Sequence, residues 1–464
     1  MNIVIDFSSI PTDSPIAFGW WFFKTIGWIY PVFLFTYALI LFWQLWLRNN
    51  YRRERKYMMV AVDVPKNIEN GPKGVENIFN QLAGAHQPLK VHEKWWTGEI
   101  PNSFSFEIAS FEGYIQFFIH FEQKYRDLIE AIVYAQYPEA EIMEVEDYTK
   151  DWRLKFPSEK YNLWGTELKL AKKEYYPIRT YEEFEHVEGF VDPMAGILEA
   201  LTRIGPGEQV WIQLVVTPAD NDWGKGAENL IIKLSGGKVE RKKTIFDRIF
   251  DIPGIVWELL NPVLAAPSTK KDEPYNLMMN LTPGQKDVIN AIEKKTGKLG
   301  FHTKIRLIYF AEKDKFVKPK ANAIYGAFKQ FNTLDLNSVK PDAKTLTGGI
   351  VFFKKRRVIA RQNKIFYRYK NRGHWLEPGS YGKILNSQEL ASLYHFPIMT
   401  VKAPMVKKSE AKKAEPPMTL PVSRSFISPR KEKPAPVKPE EAAPAQIEKT
   451  ALTKAGPPAN LPIG

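Results

Sequence analysis

The sequence predicts an α+β protein with one N-terminal transmembrane helix, two ferredoxin-like modules and a disordered C-terminal tail. Three observations predict it. An uncharged apolar run covers residues 25–47, and apolar patterns in the order βαββαβ follow and then recur with insertions. The last segment, 402–464, is dominated by Pro, Ala, Lys and Glu and has almost no aromatic residues. Such a segment buries too little apolar surface to offset its ordering entropy, so we expect it to be disordered.

The apolar run from Thr25 to Leu47 is long enough to cross a bilayer once, because a spanning helix needs about 20 apolar residues. The predicted anchor residues are the aromatic and basic side chains at its ends: Trp28, Tyr30, Trp43, Trp46, Arg48, Arg52 and Arg53. The leader, 1–24, contains two aspartates and one lysine. The positive-inside rule then predicts an extracytoplasmic leader and a cytoplasmic body. A cleaved signal peptide and a buried core helix are the alternatives.

The first module is predicted over 57–150. Its elements are strand 60–64, helix 75–82, strand 104–108, strand 115–121, helix 125–132 and strand 140–145. This order is the split-βαβ or ferredoxin-like arrangement, in which two helices cover one face of an antiparallel sheet. We therefore expect each strand to have one apolar side, with His120 on the outward side.

The second module is predicted over 160–400. Its elements are strand 165–171, a helix capped by Asp192, strand 210–216, a helix begun by Thr282, strand 305–309 and helix 324–331. A long insertion, 218–280, interrupts the order. Within it a basic segment precedes an amphipathic one that contains Ile245, Phe246, Ile249 and Phe250. This segment is predicted to lie on an anionic membrane surface, or else to pack on its own domain or a partner subunit.

The formal net charge of +13 is concentrated in two places. The stretch 351–372 has nine basic residues and no acidic one, and the tail has a net charge of +6, which leaves the remainder at −2. The candidate contacts with nucleic acid or another anionic surface are Lys354, Lys355, Arg356, Arg357, Arg361, Lys364 and Arg368. Interleaved aromatic residues could stack bases, but the same alternation also fits a hairpin with its cations outward. Membrane or partner contact is a further alternative.

Catalytic signatures are missing from the sequence. It contains no cysteine, which excludes disulfides, thiolate zinc sites and cysteine nucleophiles. It also lacks a phosphate-binding loop, an HExxH pair, a GxSxG elbow and a dinucleotide fingerprint. The histidines are scattered, and the carboxylates between 139 and 147 follow one predicted strand rather than converging. We therefore predict no catalytic, cofactor-binding or metal-ligating residues; an enzyme with an unrecognised site is the alternative.

Three phrases carry a family resemblance: YAQYPEAEI at 134–142, GAFKQFN at 326–332 and LYHFP at 393–397. With them, the chain from Lys56 onward resembles the membrane-anchored, pre-motor region of the conjugative DNA-transfer (type IV secretion) ATPase family of candidate phyla radiation bacteria. The sequence ends at Gly464, where that family's nucleotide-binding domain would begin, so no motor residue can be carried over.

The resemblance implies a non-enzymatic, single-pass component of the bacterial cell membrane. Its expected partners are the lipid bilayer and a separate secretion ATPase or other membrane subunits; a split motor gene is also compatible. The second hypothesis is a membrane-tethered nucleic-acid-binding protein that acts through 351–372. The sequence leaves the oligomeric state open.

Overall fold

The computed structural model describes residues 14–65, 71–186, 189–190, 192–237, 281–349, 352–373 and 382–397. The chain begins with helix α1 (Pro15–Phe22), a π-helical turn (Phe23–Gly27) and the long helix α2 (Ile29–Glu54). A mixed α/β body with an antiparallel sheet follows. The predicted tail, 402–464, lies outside the described residues.

Six elements build the first half of the body. They are β1 (Tyr57–Asp63), α3 (Pro72–Leu82), β2 (Phe104–Phe111), β3 (Tyr114–Glu122), α4 (Arg126–Gln136) and β4 (Glu141–Val145). All neighbouring strands are antiparallel, in the order β4-β1-β3-β2. Glu112 and Gly113, with φ of 56° and 96°, form the tight turn between β2 and β3. Each element overlaps one that the apolar pattern predicts.

The second half has more elements. They are β5 (Tyr161–Leu170), the short pair β6 (Glu185–His186) and β7 (Gly189–Phe190), α5 (Met194–Thr202), β8 (Glu208–Pro218), α6 (Lys225–Leu234), α7 (Pro283–Thr296), β9 (Gly300–Glu312), α8 (Lys318–Phe328), β10 (Val339–Pro341), α9 (Lys354–Lys370), β11 (Lys383–Asn386) and α10 (Ser387–Leu393). The strand order is β10-β5-β9-β8, again antiparallel, and β11 pairs with β9. Thr282 caps α7 through a reciprocal capping box with Gln285, as predicted.

The two halves share one sheet. Strands β2 and β8 pair antiparallel from Phe104 opposite Val216 to Phe111 opposite Gln209. Among the described residues, nine strands therefore form a single sheet whose eight-strand path runs from β10 to β4. The sequence predicted two modules in succession, and the structure joins their strands at this seam.

One face of the sheet is covered by helices, as the apolar alternation predicts. Helices α3, α4, α5, α8 and α10 contribute to a large apolar cluster on this side. Phe79 of α3 lies with its ring centroid 4.8 Å from that of Phe106 on β2 and 5.9 Å from that of Phe301 on β9. The same core thus extends beneath both halves, and its burial is a main stabilising contribution.

The opposite face of the sheet is also covered in part. The sequence predicts instead that this face points outward to solvent. Trp211 of β8 is fully buried there. Its ring centroid lies 5.1 Å from that of Tyr148, 4.7 Å from Phe310 and 5.4 Å from Tyr369 of α9. Helix α9 and the segment after β4 therefore close a second, smaller apolar cluster over the middle of the sheet.

Candidate membrane interface

Helix α2 is the candidate membrane anchor. It is 26 residues long, its most apolar 18-residue window has a mean hydropathy of 1.6, and none of that window is buried in the protein. The observed helix runs from Ile29 to Glu54, whereas the predicted span was 25–47. Residues 23–27 belong to a separate π-helical turn, and the helix continues through the arginines because cations are favoured near a helix C-terminus.

The four aromatic residues among the predicted anchor residues are exposed at the ends of this helix. Trp28 and Tyr30 lie at its N-terminal end, and Trp43 and Trp46 lie near the first arginine. The two C-terminal indoles contact each other, with ring centroids 5.5 Å apart. Exposed aromatic rings at both ends of an apolar helix suit the two interfaces of a bilayer.

A tryptophan turn, 91–98, packs against the C-terminal part of α2. Its π-helical residues, Glu93–Thr97, end at Gly98, where φ is 72°. A Cβ on Gly98 would lie 2.7 Å from the backbone of Leu47, so only glycine allows this close approach. Trp95 and Trp96 of the turn are 44% and 68% exposed. The turn therefore holds two more indoles beside the apolar-to-basic transition of α2.

The three predicted anchor arginines differ in their surroundings. Arg53 is exposed to solvent. Arg48 and Arg52 are partly buried and line a cavity of about 30 Å³ between α2 and the sheet. The other lining residues are Tyr57, Ile100, Ser103, Phe104, Ser105, His120, Val215, Asn371, Arg372 and Gly373. We call this cavity the arginine pocket.

His120 lines the pocket rather than projecting freely outward, and its ring stacks on Tyr57 with centroids 5.3 Å apart. Burial, followed by the positive charge of Arg372, lowers the pKa of His120 well below its usual range. Arg52 acts in the same direction, while Asp147 opposes it. The imidazole is therefore neutral near pH 7, in surroundings with an excess of positive charge.

A polar row lies behind the pocket. Glu107, Gln213, Arg306 and Glu167 stand directly opposite one another on β2, β8, β9 and β5. The Gln213 amide donates to Glu107 at 2.9 Å, and Arg306 donates to Gln213 at 2.7 Å and to Glu167 at 2.9 Å. This hydrogen-bonded row crosses the seam between the two halves.

Arg372 connects the polar row to the pocket, because it binds Glu107 and also lines the cavity. Its guanidinium donates to Glu107 at 2.7 and 3.2 Å and to Asp147 at 2.7 and 3.0 Å. Tyr148 also donates to Glu107, at 2.6 Å. Arg372 is buried, with φ of 48°, a backbone region in which glycine is usually found. The buried carboxylate of Glu107 and the partly buried carboxylate of Asp147 thus pair with this arginine.

The basic stretch is a helix and not the hairpin given as an alternative in the sequence analysis. Buried residues recur along α9 at helical spacing: Gln362, Ile365, Phe366 and Tyr369. This apolar stripe packs on the sheet, which a two-residue alternation would not allow.

The structure separates the predicted cations of this stretch into two groups. Lys354, Lys355, Arg356 and Arg357 are exposed in the first turn of α9, directly after the exposed side chains of Phe352 and Phe353. By contrast, Arg361 donates to the Leu346 carbonyl at 2.6 Å, and Arg368 pairs with Glu167 at 3.2 Å. Lys364 is exposed. Only the first group forms a compact exposed cluster, which we call the basic turn, 352–357.

The predicted interfacial residues Ile245, Phe246, Ile249 and Phe250 lie outside the described residues. The sequence patterns did not predict the tryptophan turn, the polar row or the arginine pocket. Adjacent Trp95 and Trp96 were a visible signal for the turn, and a glutamate and an arginine inside strongly apolar strands were signals for the row. In the part of the chain that the structure describes, no group of three or more His, Asp or Glu side chains is placed to hold a metal ion.

Comparison with known proteins gives one finding. A family model described as a domain of unknown function, DUF8128, matches residues 59–409, about three quarters of the chain. No curated protein matches the sequence.

Proposed function

We propose that this chain, which belongs to the DUF8128 family, is a single-pass membrane protein that anchors a larger complex at the bacterial cell membrane. The observation that carries the proposal is α2, because no part of its most apolar window is buried in the folded body. An exposed apolar surface of this length is costly in water and is stable in hydrocarbon. The tryptophan turn supports the proposal because it adds indoles at the level of Trp46 and Arg48.

The proposed orientation places the leader outside and the body in the cytoplasm, because the arginines follow the apolar segment. The chain has no cysteine, so single cysteines can report the topology without background. In intact cells, a membrane-impermeant maleimide should label Ser14→Cys and leave Lys340→Cys unlabelled until the cells are permeabilised. Labelling of Lys340→Cys alone in intact cells would indicate the opposite topology. Labelling of both cysteines would argue against a membrane span.

We further propose that the body consists of two ferredoxin-like modules fused edge to edge. The order β4-β1-β3-β2 of the first half matches β10-β5-β9-β8 of the second, position by position. In each half one helix follows the first strand and another follows the third, α3 with α4 and α5 with α8. The repeated order is that of the split-βαβ fold. The tight turn between β2 and β3 corresponds to the long connection between β8 and β9.

The proposed complex is a type IV secretion or conjugation-like DNA-transfer system, in which this chain docks a separate ATPase. The phrases at 134–142, 326–332 and 393–397 support this assignment, because they resemble the pre-motor region of the transfer ATPases. In-cell cross-linking followed by purification of the full chain from membranes should recover a secretion ATPase or a channel subunit. An unrelated single-pass protein of similar abundance serves as the control. Recovery of the same proteins with both baits would contradict the assignment.

Nucleic-acid binding is the second candidate function, and the basic turn favours it. Four cations in the first turn of a helix oppose the helix dipole, so they raise the free energy of the fold unless an anion binds them. Exposed Phe352 and Phe353 offer rings on which bases could stack. Each phosphate contact contributes about 0.9 to the slope of log K against log salt for duplex DNA.

The test replaces the four cations of the basic turn with glutamine. A matched control removes four exposed lysines elsewhere: Lys286, Lys313, Lys318 and Lys340. If the basic turn binds DNA, only the first variant should lose affinity and salt dependence in a fluorescence anisotropy titration of the full chain in detergent. Equal losses in both variants would indicate nonspecific attraction and would reject the basic turn as the site.

A further inference from the structure

The arginine pocket contains positive charge that no carboxylate in the described part of the chain neutralises. Among the described residues, no carboxylate lies within ion-pair distance of Arg48 or Arg52, although ion pairs are frequent elsewhere on the body. Arg372, the third arginine of the pocket, is already paired with Glu107 and Asp147. The two unpaired guanidinium groups therefore give the cavity its excess charge.

The spacing of the two arginines adds to this imbalance. Arg48 and Arg52 are four residues apart on α2, so they lie on the same side of the helix. Like charges at this spacing destabilise a helix. An anion between them would replace this repulsion with attraction, because it would accept hydrogen bonds from both guanidinium groups.

We propose that the arginine pocket binds a phosphate group, held between Arg48 and Arg52 at the end of the membrane anchor. Planar guanidinium groups match the oxygens of a phosphate in bidentate geometry. The pocket adds neutral donors around the same space, from Ser103, Tyr57 and the imidazole of His120. These groups can complete the hydrogen bonding of a phosphate without further charge.

The size of the cavity limits the ligand. A volume of about 30 Å³ holds roughly two or three water-sized groups. That is the scale of phosphate oxygens and not of a nucleotide base. Because the pocket lies beside the last apolar turn of α2, a phospholipid headgroup could enter it from the bilayer surface, and a soluble phosphate could enter from water.

Binding is measured on the purified full-length chain in an uncharged detergent. One arm titrates phosphatidylglycerol, with phosphatidylcholine as its zwitterionic counterpart, and counts bound lipids by native mass spectrometry. The other arm titrates inorganic phosphate and follows the thermal midpoint. We expect one saturable site per chain, with an affinity about tenfold weaker in Arg48→Gln and in Arg52→Gln. Saturation by the lipid, or by inorganic phosphate alone, supports the pocket and identifies the source of the phosphate.

Arg53→Gln is the matched control, because Arg53 carries the same charge on the same helix but is exposed and does not line the pocket. The affinity of this variant for either probe should be unchanged. Without ligand, Arg52→Gln should have the same or a higher thermal midpoint, because the substitution removes a like-charge pair. If Arg52 had a purely structural role, replacing it would lower the midpoint. Equal losses in all three variants, or no saturable binding of either probe, would overturn the proposal. Either result leaves the anchoring and secretion proposals untouched, since this assay includes no cell membrane and no partner.

Discussion

Arg372→Met tests whether the buried ion network holds the two halves of the sheet together. Arg372 is the shared partner of Glu107 and Asp147, whose side chains are 0% and 16% exposed. Methionine keeps much of the aliphatic length but removes all four hydrogen bonds to the carboxylates. The substitution therefore leaves a buried carboxylate on β2 without its counter-charge, at the strand that forms the seam.

The expected loss in the free energy of unfolding is about 3–5 kcal/mol, the range found when one partner of a buried pair is removed. Such a loss changes the unfolding equilibrium by roughly two to three and a half powers of ten. It is a large fraction of the ~5–15 kcal/mol that stabilises a typical domain. Tyr148 and Gln213 still donate to Glu107, so these hydrogen bonds keep the loss within that range.

The assay is urea unfolding of the full-length chain in detergent, followed by far-ultraviolet circular dichroism. The double variant Glu107→Gln/Arg372→Met is the control, because it removes the orphaned charge as well as the guanidinium. We expect the loss in the free energy of unfolding of the double variant to be smaller than the sum of the losses from the two single substitutions, by about 0.5–3 kcal/mol. A loss below about 1 kcal/mol in Arg372→Met, or strict additivity in the double variant, would refute the buried ion pair.

Three further predictions follow from single contacts. Burial raises the pKa of Asp147, but hydrogen bonds to its guanidinium partner outweigh this and lower it; stability should therefore fall as acid titration passes below about pH 4, and Asp147→Asn should flatten that dependence. Gly98→Ala, which brings a Cβ to 2.7 Å from Leu47, should cost at least about 1–2 kcal/mol and speed proteolysis within the tryptophan turn. Lys295→Met leaves fully buried Glu389 unpaired and should cost about 3–5 kcal/mol in the same urea assay, with partial recovery by Glu389→Gln.

Local elements of the fold could be predicted because they depend on short-range patterns. Every second residue of strands β1, β2 and β3 places an apolar side chain in the helix-covered core, and Thr282 begins α7 with a capping box. The seam between β2 and β8 could not be predicted. It joins strands about 100 residues apart, and strand pairing at that distance leaves no signal in a single sequence.

The burial of the second face of the sheet was not predicted, for a different reason. Glu107, Gln213 and Arg306 occupy the polar positions of their strands, so the alternation indicated exposure to water. They are buried because α9 covers them and because each meets a hydrogen-bonding partner. The helical spacing of Ile365 and Tyr369 is visible in the sequence, but the alternation of cations and aromatic residues in the same stretch also fits a hairpin.

The candidate interface was predictable in part. Composition alone located α2 and its aromatic ends, since a long apolar run needs no tertiary information. The tryptophan turn depends on the close approach of Gly98 to Leu47, and the arginine pocket depends on where α2 meets β3. Both contacts arise from packing between residues far apart in the chain, so no local pattern distinguishes Arg48 and Arg52 from the exposed Arg53.

Fusing the halves through β2 and β8 also determines which strands end the eight-strand path, namely β4 and β10. The outer strand β4 exposes Glu141 and Glu144, whose charges disfavour pairing with another chain. The outer strand β10 has only three residues and ends at Pro341, which has no backbone N–H to donate. Strand addition at either end is therefore disfavoured. Under the proposed membrane anchoring, this would protect the chains from joining sheet to sheet at high local concentration. Partners are expected to meet helix surfaces instead.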